Sequence, residues 1–536
     1  MKKFKFFALA AALMIAAACS EPLDEAAEEA TPQNEETPAA QASIVTDGET
    51  VLGRELENPY SLEYMRKALA ELKKNNLSKS NLNIDISANY LYVRFLPADA
   101  EEFKLLTADT TIELFDRPML NEIEQEGEFY HDPSLPEDAI TWQYTSVPVD
   151  YKFPDIKYEI LDSCFVPEDE PETLSKRGLD FPAEQLTAMA FKLAGQEYDF
   201  TLAKKRKVPQ GDFRVYDTRT GGYTGIAGIR VRVYNGIRWD KTHTDANGHY
   251  KMSKHYATGV HYFIKFHTSD DVYINNLMFD IDAANRGLGW HSKGGYSEDF
   301  GTGSRVWMWG TVNNAIYVFK RELCPHFGIT FPSMYLHVFA SNGKSRDWAG
   351  CTPMARHIKV DIGGLLNLCS TMMSMVGVKQ AANALAPDVM IFPQNDTKRI
   401  YSTVFHEMAH VLHYKKVGEN YWRAYTNFIT AHLGYGKRSH SNSGVVGIGE
   451  MWGNYFGHYL CDKYYLSYYY DSWKPNEDWY KPGIMAKLQT DAGLTPAQIF
   501  DCLTADVRTY ESLKNKLKSK YGKGAIIDKC FAYYGF

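Results

Sequence analysis

The run from Ile400 to Tyr414 holds no Gly or Pro and carries His406-Glu407-Met408-Ala409-His410 at its centre. Val404, Met408, Val411 and Leu412 recur at i, i+4, i+7 and i+8, one apolar stripe of an α-helix. Thr403, His406, His410 and His413 fall on another face. A chain with this run must pack one side of the helix and set the other against a cleft. Residues four apart on a helix project from one face, so the two imidazoles can grip one metal ion. Glu407, beside them, can take a proton from a metal-bound water. An H-E-x-x-H pattern also arises as a solvated helix face, so its surroundings have to supply the rest of the site.

A catalytic zinc ion takes three protein ligands and keeps one position open. Completion by H-E-x-x-H-x-x-G-x-x-H is excluded, because His413 stands at the glycine position and Lys416 at the third histidine. His413 lies nearly two turns from His406, about 10 Å along the axis, and is read as a neighbour of the ligands or a surface residue. Glu450 is the favoured third ligand. It sits in Gly447-Ile448-Gly449-Glu450-Met451-Trp452-Gly453-Asn454, which reads as a second helix opened by a glycine-rich turn. Glu419, just past the end of the first helix, is the rival. A carboxylate borne on a helix is the better pre-organised of the two. Glu450 also has a plain reading as a carboxylate on a packing helix.

This arrangement resembles the gluzincin class of zinc metallopeptidases, in which a downstream helix supplies a glutamate ligand. The run Asp388 to Pro393, read as a short strand just before the first helix, resembles the edge strand of zincins. The resemblance implies Zn²⁺ held by His406, His410 and Glu450, with Glu407 as general base. It also implies that the residue four after Glu450 orients His406. That residue is Asn454 here, where the family carries a carboxylate. A downstream Tyr or His is implied as the electrophile, and Tyr455, His458, Tyr459, His440 and His432 are all available. The implied substrate is an extracellular peptide, protein or glycoprotein.

Met1-Lys2-Lys3-Phe4-Lys5 is a basic start, followed by an apolar stretch to Ile15 and then Ala16-Ala17-Ala18-Cys19. This resembles a bacterial lipoprotein signal, residues 1–18, cleaved before a Cys19 that becomes lipidated. Plain secretory cleavage after A-x-A is the alternative. Residues 19–50 form an acidic tether, and no Lys or Arg occurs from Ser20 to Gly53. An acidic stretch behind the lipid-bearing cysteine resembles surface-export signals of some Gram-negative lipoproteins, which implies a lipid-anchored protein of the outer membrane, exposed at the cell surface. Loss of Lys2, Lys3 and Lys5 takes the formal charge from −8 to −11, which argues against a nucleic-acid partner. Seven further cysteines are scattered without C-x-x-C. They suit either some disulfide pairing beyond the inner membrane or buried free thiols.

The pattern along the chain predicts a multidomain α+β protein. Residues 51–170 read as an N-terminal α/β domain: a helix over Ser61–Asn75, a strand over Asn89–Phe95, a helix over Ala98–Leu106, and strands near Ile112–Phe115 and Ile156–Leu161. It suits a prodomain, a spacer or a partner-binding module. Residues 171–205 read as a linker with a short helix. Residues 206–282 turn to β, with strict alternation over Ile229–Tyr234 and an Asn247-Gly248 turn. That segment resembles the carboxypeptidase regulatory-like (transthyretin-like) β-sandwich, a likeness that implies fold and leaves function open. Residues 283–536 read as a zincin-like domain. Its expected parts are a helix over Thr311–Leu323, strands over Met334–Phe339 and His357–Ile362, a helix over Val378–Leu385, the two site helices, and a helical C-terminus over Pro496–Lys520. A second reading of the whole chain is a non-catalytic surface lipoprotein that binds glycan or host protein and carries a structural metal site.

Overall fold

A computed structural model describes residues 48–74, 86–136, 139–169, 183–196, 207–256, 258–275, 282–341, 349–358, 387–432, 434–466 and 478–536. The signal segment, Cys19, nearly all of the acidic tether, the predicted helix Val378–Leu385 and Cys369 lie outside the described residues. The fold is mixed α+β, with several sheets and many helices. None of the described helices is long and apolar enough to cross a membrane.

The helix Leu62–Lys74 buries Met65, Ala68, Leu69 and Leu72, the i, i+3, i+4, i+7 set that its sequence presents. It packs on the helix Ala183–Leu193, so the helix in the expected linker docks on the N-terminal unit. A three-stranded antiparallel sheet places Tyr90–Phe95 between Gln143–Pro148 and Tyr158–Cys164. The helix Ala100–Ala108 starts at Asp99, whose carboxylate accepts the Glu101 and Glu102 N–H groups at 3.0 Å each. Ile112–Phe115 is not a strand. Phe115 makes one isolated bridge to Tyr144, and its ring turns inward, edge-on to Tyr234 and Phe263.

The β-rich region forms two sheets that share one core. Gln210–Asp217 pairs with Gly222–Gly225, His249–Lys251 and Glu298–Phe300. Val260–Thr268 lies between Ile229–Asn235 and Asn285–His291, with Arg238–His243 beyond. The structure does not part at residue 282. Val272–Asn275, the antiparallel neighbour of Val260–Thr268, pairs in parallel with Leu336–Ala340. One eight-stranded sheet therefore runs from Arg238–His243 to Gly350–Cys351. The reason lies in the residues: Val272 and Ile274 are buried beside Leu336 and Val338, so a cut here would open a hydrophobic core.

At the far end of this sheet Val389–Ile391 is an inner strand, parallel to Leu336–Ala340, and Gly350–Cys351 pairs antiparallel on its outer side. Among the described residues the edge strand is thus Gly350–Cys351, and the strand predicted at Asp388–Pro393 is its inner neighbour. The first residues of the predicted strand His357–Ile362 form a helical turn, Ala355–Ile358; residues from 359 on lie outside the described residues. The helix Arg305–Val318 continues as a π-helical turn, Phe319–Leu323, and packs against the sheet. The C-terminal helices are Gly483–Thr490, Pro496–Asp501, Tyr510–Tyr521 and Gly524–Ala532.

Candidate metal centre

The H-E-x-x-H run occupies a 21-residue helix, Thr397–Val417. Asp396 caps its first turn, accepting the Lys398 and Arg399 N–H groups at 2.6 and 3.1 Å. Gly418, with φ near +79°, ends it. The apolar stripe of Ile400, Val404, Met408, Val411 and Leu412 is fully buried. So is the other face: His406, Glu407, His410 and His413 are each at most 3% exposed. The helix is therefore packed all round rather than bordering an open cleft.

A second helix, Ser443–Trp452, continues into π-helical turns over Gly453–Leu460 and lies along the first. Glycines at 449, 453 and 457 recur every four residues, and the last two allow this approach. A Cβ at 457 would stand 2.3 Å from His406 Cα, and one at 453 would stand 2.8 Å from His410 Cε1. The glycines expected to open the helix with a turn, Gly447 and Gly449, lie inside it and face Tyr510 and Tyr425. Trp452 Nε1 donates to the Ala409 carbonyl at 3.0 Å and fixes the relative height of the two helices.

This packing brings Glu450 to the two histidines. One donor atom from each of His406, His410 and Glu450 lies within 4.8 Å of the others. His406 Nε2 is 3.5 Å from Glu450 Oε2, and His410 Nε2 is 3.4 Å from Glu450 Oε1. The two Nε2 atoms are 2.9 Å apart. A tetrahedral ion with bonds of about 2.0–2.1 Å has ligand-to-ligand edges of roughly 3.3 Å; each imidazole stands near that distance from a different oxygen of Glu450, and the two Nε2 atoms are a few tenths of an ångström too close. Among the described residues no further His, Cys, Asp or Glu joins this group. The donor set therefore suits a borderline cation bound by two imidazoles and a carboxylate, with one position open.

The unpartnered polar atoms of the site also suit a bound cation. Glu450 is wholly buried, which pushes its carboxyl pKa up, but His410 and His406 beside it outweigh burial and hold it well below the usual carboxylate range. Its Oε2 and the Nδ1 atoms of both histidines have no hydrogen-bond partner among the described residues. An ionised, half-satisfied carboxylate facing two imidazoles is costly without a bound cation.

Glu407 turns toward the edge strand. Thr352 Oγ1, just past Gly350–Cys351, donates to its Oε2 at 2.7 Å. Trp422 Nε1 holds the Thr352 carbonyl at 3.1 Å. A Cβ at 350 would stand 3.0 Å from Glu407 Oε1, so glycine is what lets the strand run this close. On the far side Tyr425, from the helix Glu419–His432, donates its hydroxyl to Glu450 Oε1. Thr352, Trp422 and Tyr425 were beyond sequence reading; only the clustering of aromatic residues after Gly418 hinted at them.

The remaining sequence candidates separate clearly. Asn454 donates to the Glu450 main-chain carbonyl at 3.0 Å, and its side-chain oxygen accepts nothing from His406 Nδ1. Glu419 starts the next helix and pairs with Arg423, away from the histidines. His413 is neither a ligand nor a surface residue. It lies edge-on to Tyr421 and Trp422, and burial, with His410 adding to it, lowers its pKa to about 3. His458 stands against His406, ring centroids 4.6 Å apart, with Nδ1 2.6 Å from Ser402 Oγ; burial keeps it neutral. Tyr455 donates to Gln489, Tyr459 stacks on Tyr455, and His432 and His440 stack on each other. Cys164, Cys324, Cys461, Cys502 and Cys530 are buried free thiols, and Cys351 is buried.

No family model matches the chain, and no curated protein does. Among solved structures, the crystal structure of a 9R-lipoxygenase from Cyanothece PCC8801 shares 18% identity over 20% of this chain and 17% of that one, at a TM-score of 0.11. A likeness that slight carries no argument about fold or function.

Proposed function

We propose that this chain is a zinc-dependent metallopeptidase of the gluzincin type, with His406, His410 and Glu450 as ligands and Glu407 as general base. The observation that carries this reading is the convergence of three ligand atoms, with no fourth protein ligand among the described residues, beside a carboxylate held by Thr352. Zinc, when bound, would lower the pKa of a water and polarise a carbonyl. Glu407 accepts a proton from the attacking water and passes it to the leaving nitrogen as the C–N bond breaks. Gly350 and Thr352, at the sheet edge, set how closely Glu407 is approached, and Trp422 holds that edge in place.

The proposal extends to the setting. The two-sheet region is read as a carboxypeptidase regulatory-like sandwich, on its alternating strands and its Asn247-Gly248 turn. The helix-rich C-terminal half, with its antiparallel edge strand, is read as zincin-like. Cys19 is read as the lipid-bearing residue of an outer-membrane protein exposed at the cell surface, acting on peptide, protein or glycoprotein outside the cell. One observation favours a second reading, a surface lipoprotein that binds glycan or host protein around a structural metal: the ligands and Glu407 are all buried. Against it stands Glu407, a carboxylate that a purely structural site does not need.

The test is metal analysis of the mature protein together with cleavage of a peptide library by wild type and Glu407→Gln. One zinc per chain in both, with cleavage lost only in the variant, supports the peptidase. Zinc in both with no cleavage by wild type favours the binding protein.

A further inference from the structure

We propose that Tyr425 is a positioning residue that fixes which oxygen of Glu450 faces the metal; this rests on the zinc reading above. The two carboxylate oxygens are not equivalent. Oε1 accepts the Tyr425 hydroxyl, whereas Oε2 has no hydrogen-bond partner among the described residues although the side chain is fully buried. Both oxygens face the imidazoles, Oε2 at 3.5 Å from His406 Nε2 and Oε1 at 3.4 Å from His410 Nε2, but Oε1 already accepts the tyrosine hydroxyl and Oε2 is the one left for an ion. Glu450 would then hold an ion through one oxygen, which would leave a fourth position for an incoming water.

The position of the tyrosine is built rather than incidental. Tyr425 is itself buried, and its ring stacks on Trp422 with centroids 4.5 Å apart and planes 14° from parallel. Gly449 makes room for it: a Cβ there would stand 2.8 Å from Tyr425 Cε2. The histidines lack the equivalent support, since neither Nδ1 has a partner among the described residues. Outer hydrogen bonds of this kind usually carry about 10–100-fold in metal affinity, and here that burden falls on one hydroxyl. The same bond draws charge from the carboxylate, which leaves the bound cation more electrophilic.

The experiment compares full-length mature wild type, Tyr425→Phe and Tyr421→Phe. Phenylalanine keeps the stacked ring at 425. Tyr421, one turn earlier, donates its hydroxyl to the Val445 carbonyl at 3.3 Å and serves as a control for loss of a buried hydroxyl. Zinc affinity is measured by competition with a chromophoric chelator, and the Co²⁺ form is examined by visible absorption. Tyr425→Phe should bind zinc about 10–100-fold more weakly, and its cobalt bands should weaken as the freed Oε1 joins and coordination rises from four to five. Tyr421→Phe should match wild type in both. Unchanged affinity and spectrum in Tyr425→Phe, or equal losses in both variants, would overturn the role of Tyr425 and leave the zinc site standing. A wild-type chain that binds neither ion would overturn both.

Discussion

On the proposed reading Glu407 is the base, one residue after His406 and three before His410, whose imidazoles face Glu450. Its substitution separates chemistry from architecture. Glu407→Gln keeps the shape and can still accept from Thr352 Oγ1, but it cannot take a proton. Peptide cleavage should fall by about 10²–10⁴-fold with zinc content unchanged, read by steady-state assay and metal analysis on one preparation. The residues of this centre were unequally legible in the sequence. His406, Glu407 and His410 announce themselves by identity and spacing, and Glu450 by standing on a second helix. Thr352 and Tyr425 do not, because they come from separate elements, 55 residues from Glu407 and 25 from Glu450, and no periodicity links them to the site. Asn454 misleads for a related reason: position four after the ligand puts it on the right face, yet its amide is taken up by the Glu450 carbonyl one turn back.

The pairing of two helices decides whether the ligands meet. The second helix can approach the first only because 453 and 457 lack a Cβ. Gly457 is the tightest of these contacts, with His406 Cα, His406 N and the Phe405 carbonyl all within 2.7 Å of the built atom. These are backbone atoms that cannot turn aside. Gly457→Ala should therefore push the helices apart, cost at least about 1–3 kcal/mol in stability, and release zinc; a melting curve and a chelator titration check both. The helices themselves were readable from their apolar period. The glycine stripe was not, because glycine at i, i+4 and i+8 signals a turn and a close helix contact equally well. The edge of the sheet was also hidden. Gly350–Cys351 is two residues long, too short for alternation to register, whereas the apolar run Val389–Ile391 stands out and belongs one strand further in.

Over the whole molecule, the domain borders suggested by composition are crossed by a sheet and by buried charge. Glu113, from the N-terminal unit, is 2% exposed and lies 3.3, 3.1 and 3.3 Å from Arg230, Arg232 and Lys241 of the β-rich region. Burial alone would raise its pKa, but these three cations prevail and hold it well below the usual range. With the folded pKa depressed, the carboxylate stabilises the fold above the unfolded value near 4.5 and loses that contribution as pH falls below it. Glu113→Gln leaves three cations without their anion and should cost about 3–5 kcal/mol at neutral pH. Denaturation of the variant should show a flatter pH dependence between about 5 and 3 than wild type. The N-terminal unit is tied to the β-rich region in this way and by Phe115 set against Tyr234 and Phe263. Sequence patterning could find the α/β, β and helix-rich regions in order, but not Val272–Asn275 joining two of them, since a four-residue apolar strand looks the same in either sheet.

The most direct measurement is zinc stoichiometry and peptide cleavage, taken together, across mature wild type, His406→Ala and Glu407→Gln. One zinc per wild-type chain is predicted, absent from His406→Ala and retained in Glu407→Gln, with cleavage in wild type alone. A wild-type chain that purifies and reconstitutes without zinc, or Glu407→Gln cleaving at the wild-type rate, would contradict it.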